Sequence, residues 1–124
     1  SDWRPKEKAK TKIKKKSGDK PPIVELIENP DILKNICTCE NRPDLVIGFA
    51  AETDNLLSHA RLKLKNKGCD WIIANTVNSK SPSMGGDENE VTIIKKNEEI
   101  NLAKQPKEKI AEFICEKIVE EILG

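Results

Sequence analysis

Tyrosine is absent from this sequence, and the other large aromatics are scarce: two Phe and two Trp in 124 residues. Single-stranded nucleic acid is gripped largely by stacking bases on aromatic rings, so little of such a platform is available. A lone histidine, His59, leaves few ways to build a catalytic triad or a multi-histidine metal site. The sequence contains no G-x-x-x-x-G-K-[ST] and no G-x-G-x-x-G, so neither common phosphate-cradling loop is present. A G-x-S-x-G elbow and any internal repeat are missing too. No apolar run approaches bilayer-spanning length. The chain starts Ser-Asp-Trp-Arg-Pro, without a greasy leader. The expected compartment is therefore the cytoplasm, with no membrane partner. Cys37, Cys39, Cys69 and Cys115 do not follow the rhythm of a zinc site. They are expected to be reduced thiols, two or three of them partly buried, and no metal-ligand set is assigned.

What is present is charge. Charged residues make up 35% of the chain and hydrophobic ones 36%, enough for one modest core. The net charge of +1 hides an asymmetry. Residues 1–20 hold nine Lys/Arg against three Asp/Glu, and the remainder holds 13 against 18. A basic arm on an acidic body suggests that the arm meets an anion: nucleic acid, a phosphorylated small molecule or an acidic partner.

Residues 4–20 hold one apolar β-branched residue, Ile13, inside a lysine run and cannot bury themselves. They are expected to form a mobile lysine-rich flap. A strand is expected over 23–28. A helix is expected over 29–37, capped by Asn29 with Pro30 as its first residue. Residues 44–52 form a continuous apolar run, the mark of a parallel strand covered on both faces. A second helix is expected over 54–67, capped by Thr53 or Asp54, buried through Leu56, Leu57, Ala60 and Leu64, and ended by Gly68. Residues 69–77 read as another buried strand, and 78–89 as a polar loop long enough to be functional. A hairpin around Asn97-Glu98 and an amphipathic helix over 106–123 follow, the helix apolar along Ile110, Phe113, Ile114, Ile118 and Ile122. The expected fold is α/β and Rossmann-like: a mainly parallel sheet flanked by helices, with a C-terminal β-hairpin and helix. The abrupt start suggests that an N-terminal part of the domain is missing.

The helix over 54–67 raises a question of charge. Lys63 and Lys67 are four residues apart, so their ammonium groups share one face. A cation pair near a helix C-terminus is commonly no more than a partner for the helix dipole, stabilising by about 0.3–1 kcal/mol. The functional alternative is a grip on adjacent phosphates of a nucleotide. For the arm, the alternatives are a solvated charge run, non-specific nucleic-acid binding, or a flap whose lysine closes over a phosphorylated substrate. A non-catalytic α/β binding module that uses the arm for nucleic acid or another polyanion remains open, as does a degenerate domain with a structural role.

The segments "SDWRP", "KIKKKSG", "ENPDIL", "VIGFAAET", "ARLKLKNKGCDWIIAN" and "NEVTII" occur here in one order and spacing. Together they resemble the phosphopantothenoylcysteine synthetase (phosphopantothenate–cysteine ligase) domain, over nearly the whole chain. In bacteria this domain usually forms the C-terminal half of a bifunctional coenzyme A biosynthesis protein. The resemblance implies a ligase that joins 4′-phosphopantothenate to cysteine. It spends CTP with Mg²⁺ and passes through an acyl-cytidylate. It also implies a dimer of synthetase domains, no nucleic-acid partner, and FMN only in a decarboxylase domain upstream. Residues 1–124 would be the C-terminal portion of one synthetase domain.

Carried onto the matching positions, Asp2 would contact the nucleotide at its ribose. Lys12 would sit on the flap as the catalytic lysine, reaching the reacting phosphate or carboxylate. Pro30, Asp31, Ile32 and Leu33 would line the nucleotide pocket at a helix start. Phe49 would lie against the base, and Lys63 and Lys67 would hold the triphosphate. Asn75 would contact substrate. The family's Gly-rich N-terminal segment and its Asn-containing motif are absent from this sequence, so these residues alone are expected to lack full ligase activity.

Overall fold

The computed structural model describes residues 2–77 and 86–124. They divide into two units, Ser1–Ile32 and Leu33–Gly124.

The first unit is a two-stranded ribbon. β1 (Trp3–Pro5) pairs antiparallel with β2 (Leu26–Glu28), Arg4 opposite Ile27. The ladder is extended at both ends: the Lys6 N–H donates to the Glu25 carbonyl at 2.9 Å, and the Asn29 N–H to the Asp2 carbonyl at 2.8 Å. Arg4 ties off the end by donating to the carbonyl of Glu28 and to Asn29 Oδ1, at 3.0 and 2.9 Å. Between the strands runs the lysine-rich arm, exposed throughout. Its turn is closed by Asp19, whose N–H donates to the Lys16 carbonyl at 3.2 Å, with Gly18 at φ 84°.

Two expectations need correction here. The strand over 23–28 shrinks to Leu26–Glu28, and Ile23 is 94% exposed. β-Propensity makes a strand only where a partner lies opposite, and β1 offers three residues. The first helix begins at Ile32, not at Asn29. Asn29 lies at the end of the ribbon, where its backbone N–H donates to Asp2 and its side-chain oxygen accepts from Arg4.

The second unit is the α/β body. After α1 (Ile32–Thr38) come β3 (Ile47–Glu52), α2 (Leu56–Lys67), β4 (Trp71–Thr76), β5 (Glu88–Lys95), β6 (Glu99–Pro106) and α3 (Lys107–Leu123). The strand order is β3-β4-β5-β6. β3 and β4 are parallel, joined through α2, and register Ala51 on Asn75 and Glu52 on Thr76. β4–β5 and β5–β6 are antiparallel. The α/β class, the C-terminal hairpin and the closing helix are as expected. The sheet is mixed, and its parallel part is the β3–β4 pair.

Strand residues alternate between faces, and two cores follow. Ala50, Ile72, Ala74 and Ile94 meet Ala60 of α2 and Cys37 of α1 on one face. Trp71, Ile73, Val91, Ile93 and Leu102 meet Ile110 of α3 on the other, with Ile47 packed alongside. This explains the unbroken apolar run in β4, which is buried on both sides. The Asp70 carboxylate locks the start of the parallel pair, accepting from the Val46 N–H and from Arg42, each at 2.7 Å.

Several boundaries differ from expectation. β3 covers 47–52 of the expected 44–52, and β4 covers 71–76 of the expected 69–77. Neither Thr53 nor Asp54 caps α2. Asn55 holds that position in a left-handed conformation (φ 45°) without a side-chain cap, a conformation Asn tolerates better than most residues. Gly68 ends α2 as expected, with φ 78° and its N–H on the Leu64 carbonyl. Leu57 is 43% exposed, because α2 meets the sheet along the narrow line Leu56, Ala60, Leu64. Ile122 is 62% exposed; a straight helix diverges from a twisted sheet towards its ends. Of the expected loop 78–89, residues 78–85 lie outside the described residues, and Glu88 and Asn89 belong to β5.

Candidate functional site

The pleat of β3 sorts the candidate residues of the body. Gly48, Ala50 and Glu52 face α2, while Ile47, Phe49 and Ala51 face the other way. Phe49 is 74% exposed. Asn75, half-buried on β4, shares its face, with Ala51 as its register partner. Lys63 lies on the α2 side. Phe49 and Lys63 therefore flank β3 from opposite faces, Phe49 at mid-strand and Lys63 against Glu52 at the carboxyl end of the parallel pair. In open α/β sheets this end is where ligands bind.

Lys63 has a fixed partner that the sequence did not announce. Its Nζ lies 2.6 Å from Glu52 Oε1. The Glu52 side chain is only 12% exposed, against 44% for Lys63. The other carboxylate oxygen of Glu52 lies 3.4 Å from His59 Nδ1. His59, Lys63 and Lys67 are spaced four apart on α2, so one helix face presents them in a column. The Glu52 pKa is lowered, first by the hydrogen-bonding contact from Lys63 and further by the Lys63 and His59 charges, against the opposing effect of burial. Glu52 is thus a carboxylate at neutral pH. "GFAAET" contains it, and the one available signal was its place at a strand end ahead of a helix carrying His59 and Lys63.

Leu33 is a packing residue. A Cβ at Gly48 would lie 2.7 Å from Leu33 Cδ2, so this side chain fills the space over β3. Lys67 is half-buried in the last turn of α2. Arg61 is not an idle surface charge either: it pairs with Glu99 at the start of β6.

The remaining candidates belong to the ribbon unit. Asp2 is exposed, and its carbonyl serves the ladder. Lys12 is exposed in mid-arm, Pro30 is exposed, Asp31 is half-buried, and Ile32 is 70% exposed. Cys37 and Cys69 are buried thiols, Cys39 and Cys115 exposed ones. Burial, first, raises the Cys69 pKa, which disfavours a reactive thiolate. Among the described residues, no group of three or more His, Cys, Asp or Glu is placed to hold a metal ion. No helix among them is long and apolar enough to cross a membrane.

A parallel βαβ crossover with ligand-competent groups at its strand ends defines an α/β domain of the open-sheet class. Comparison with known proteins narrows this. The chain belongs to the family described as the DNA/pantothenate metabolism flavoprotein C-terminal domain, matched over residues 1–122. It is 33% identical over 123 residues to the "Coenzyme A biosynthesis bifunctional protein CoaBC" of Vibrio cholerae, covering 98% of this chain and 31% of that protein. The protein of the same name from Haemophilus influenzae is 38% identical over 120 residues, covering 97% and 29%. A crystal structure of the C-terminal domain of CoaBC superposes with a TM-score of 0.65 at 33% identity, covering 80% of this chain and 45% of that one. The resemblance drawn from the motifs is thus borne out at the level of family and fold. The chain spans less than a third of the length of these two relatives.

Proposed function

We propose that this chain forms the C-terminal portion of a phosphopantothenate–cysteine ligase domain, acting in coenzyme A biosynthesis. Kinship with proteins named for coenzyme A biosynthesis supports the pathway. The observation that carries the site is the Lys63 ammonium, anchored by Glu52 beside the carboxyl ends of β3 and β4. A preorganised cation at that position suits the phosphates of a nucleotide.

The substrate carboxylate attacks the α-phosphate of CTP, giving an acyl-cytidylate and releasing pyrophosphate. The cysteine amine then attacks the acyl carbon. CMP leaves with the bonding electron pair, and the amine loses a proton. A free carboxylate is a poor acyl donor at neutral pH, and the cytidylyl ester supplies the leaving group. Lys63 and Lys67 hold the triphosphate, and Phe49 lies against the base. From the motifs, Asp2 and the stretch Pro30 to Leu33 are assigned nucleotide contacts too, Leu33 through its backbone. Lys12 meets charge that develops on the reacting phosphate or carboxylate, and Asn75 contacts substrate. Mg²⁺ would come with CTP and would offset charge on the phosphates; among the described residues no group of three or more His, Cys, Asp or Glu is placed to hold it. The active assembly is a cytoplasmic homodimer of complete synthetase domains, which this portion alone does not reproduce.

The test is release of CMP from CTP when phosphopantothenate and cysteine are supplied to the full-length protein. Titration with CTP, ATP, GTP and UTP decides the nucleotide. No CMP release, with no preference among the four, would overturn the reading. The exposed lysines of residues 6–20 favour a second reading, a module binding nucleic acid or another polyanion. That reading requires an affinity that falls steeply with salt and depends on the arm.

A further inference from the structure

We infer that Glu52 is the positioning residue for Lys63: a carboxylate fixed at the end of β3 that aims the ammonium at the anionic ligand. The inference rests on the nucleotide reading of the site and adds to it a residue with no contact of its own to the ligand.

Glu52 belongs to the strand, with Thr76 of β4 as its register partner. Its side chain is nearly buried, 12% exposed, so it cannot swing away. Two side chains on successive turns of α2 orient the carboxylate, Lys63 on Oε1 at 2.6 Å and His59 on Oε2 at 3.4 Å. Lys63 is the mobile partner. Its stem has four carbons, and an unrestrained ammonium would lose rotamer freedom on gripping an anion. Held by Glu52, it has already lost that freedom. An ammonium has three donors. The contact is an ion pair rather than an aligned hydrogen bond, since among the described residues the buried Oε1 meets no donor at hydrogen-bonding geometry; with the Lys63 side chain 44% exposed, donors remain for the solvent side. The arrangement parallels the strand-lysine and helix-glutamate pair that sets phosphate contacts in protein kinases, with strand and helix exchanged. Glu52 stays ionised at neutral pH because its pKa is lowered, chiefly by Lys63.

A double-mutant cycle in CTP affinity tests this, read by isothermal titration on the full-length protein with Glu52→Ala, Lys63→Ala and both together. Thermal midpoints are recorded alongside. Lys63→Ala is expected to weaken CTP roughly tenfold or more, as loss of a charged hydrogen bond does. Glu52→Ala is expected to weaken it about threefold to tenfold through lost preorganisation. The double variant should bind no worse than Lys63→Ala, because Glu52 acts only through Lys63. Glu52→Gln, which keeps shape but not charge, should fall between wild type and Glu52→Ala; it replaces Glu52→Ala in the cycle if the alanine variant does not fold. If Lys63→Ala weakens CTP while Glu52→Ala binds as wild type, or the two losses simply add, the inference is overturned and the nucleotide reading stands. If Lys63→Ala leaves CTP affinity unchanged, the nucleotide reading itself falls and takes the inference with it.

Discussion

Leu33 occupies the space that a side chain at position 48 would need: a Cβ on Gly48 would lie 2.7 Å from Leu33 Cδ2 and 2.8 Å from Ile72 Cδ1. The glycine of "GFAAET" is therefore where α1 and β3 come together. Gly48→Ala is expected to destabilise the body by about 1–3 kcal/mol, the usual cost of overpacking. Chemical denaturation would show a lower midpoint. An unchanged midpoint would mean that Leu33 and Ile72 move aside freely.

At the far end of α2, Gly68 has φ 78°, and a Cβ added there would meet nothing closer than Cys37 Cβ, at 3.8 Å. The objection to a side chain here is backbone conformation, not space. Gly68→Ala should cost roughly 1–2 kcal/mol, and Gly68→Asn less, since asparagine tolerates the left-handed region. Equal losses for the two variants would contradict this.

The acid limb of stability should report on Glu52. Its folded pKa lies below the ordinary glutamate value. The stability it contributes is therefore complete above that ordinary value, about 4.3, and is lost as pH falls through the lowered folded value. Lys63 is the first cause of the lowering. Lys63→Ala should thus begin to unfold at a higher pH than wild type on acid titration followed by circular dichroism. Coincident acid transitions would show that the pair contributes nothing.

Lys12 should separate from the residues of the body. It is exposed in the arm, so Lys12→Ala is expected to change stability by no more than about 0.5 kcal/mol. Under the proposed role at the reacting group, the substitution should lower kcat by roughly tenfold to a hundredfold while leaving CTP affinity near wild type. A loss of CTP affinity equal to the loss of kcat would make it a binding residue.

The body was legible because its periodicities are strong. β4, α2, the hairpin and α3 all lie within a few residues of where the apolar run, helical spacing and Gly68 put them. The ribbon was misread because a strand depends on what lies opposite it. Ile23 and Val24 have the right chemistry but no strand opposite them, and Asn29 bonds to Arg4 and Asp2 at the ribbon's end while the helix starts only at Ile32. In the site, the spacing of Lys63 and Lys67 was visible. The pairing of Lys63 with Glu52 was not, since it joins a strand to a helix eleven residues on and depends on how α2 lies against β3.

The two tryptophans fall one to each unit. Trp71 is 1% exposed in the body, with Lys95 Nζ 4.3 Å from its ring centroid, and Trp3 is 52% exposed in the ribbon. With no tyrosine in the chain, ultraviolet emission comes almost entirely from these two rings. The buried indole should emit towards the blue and the exposed one towards the red. The molecule thus carries a built-in optical label on each of its units, and replacing either tryptophan by phenylalanine leaves the other to be watched alone.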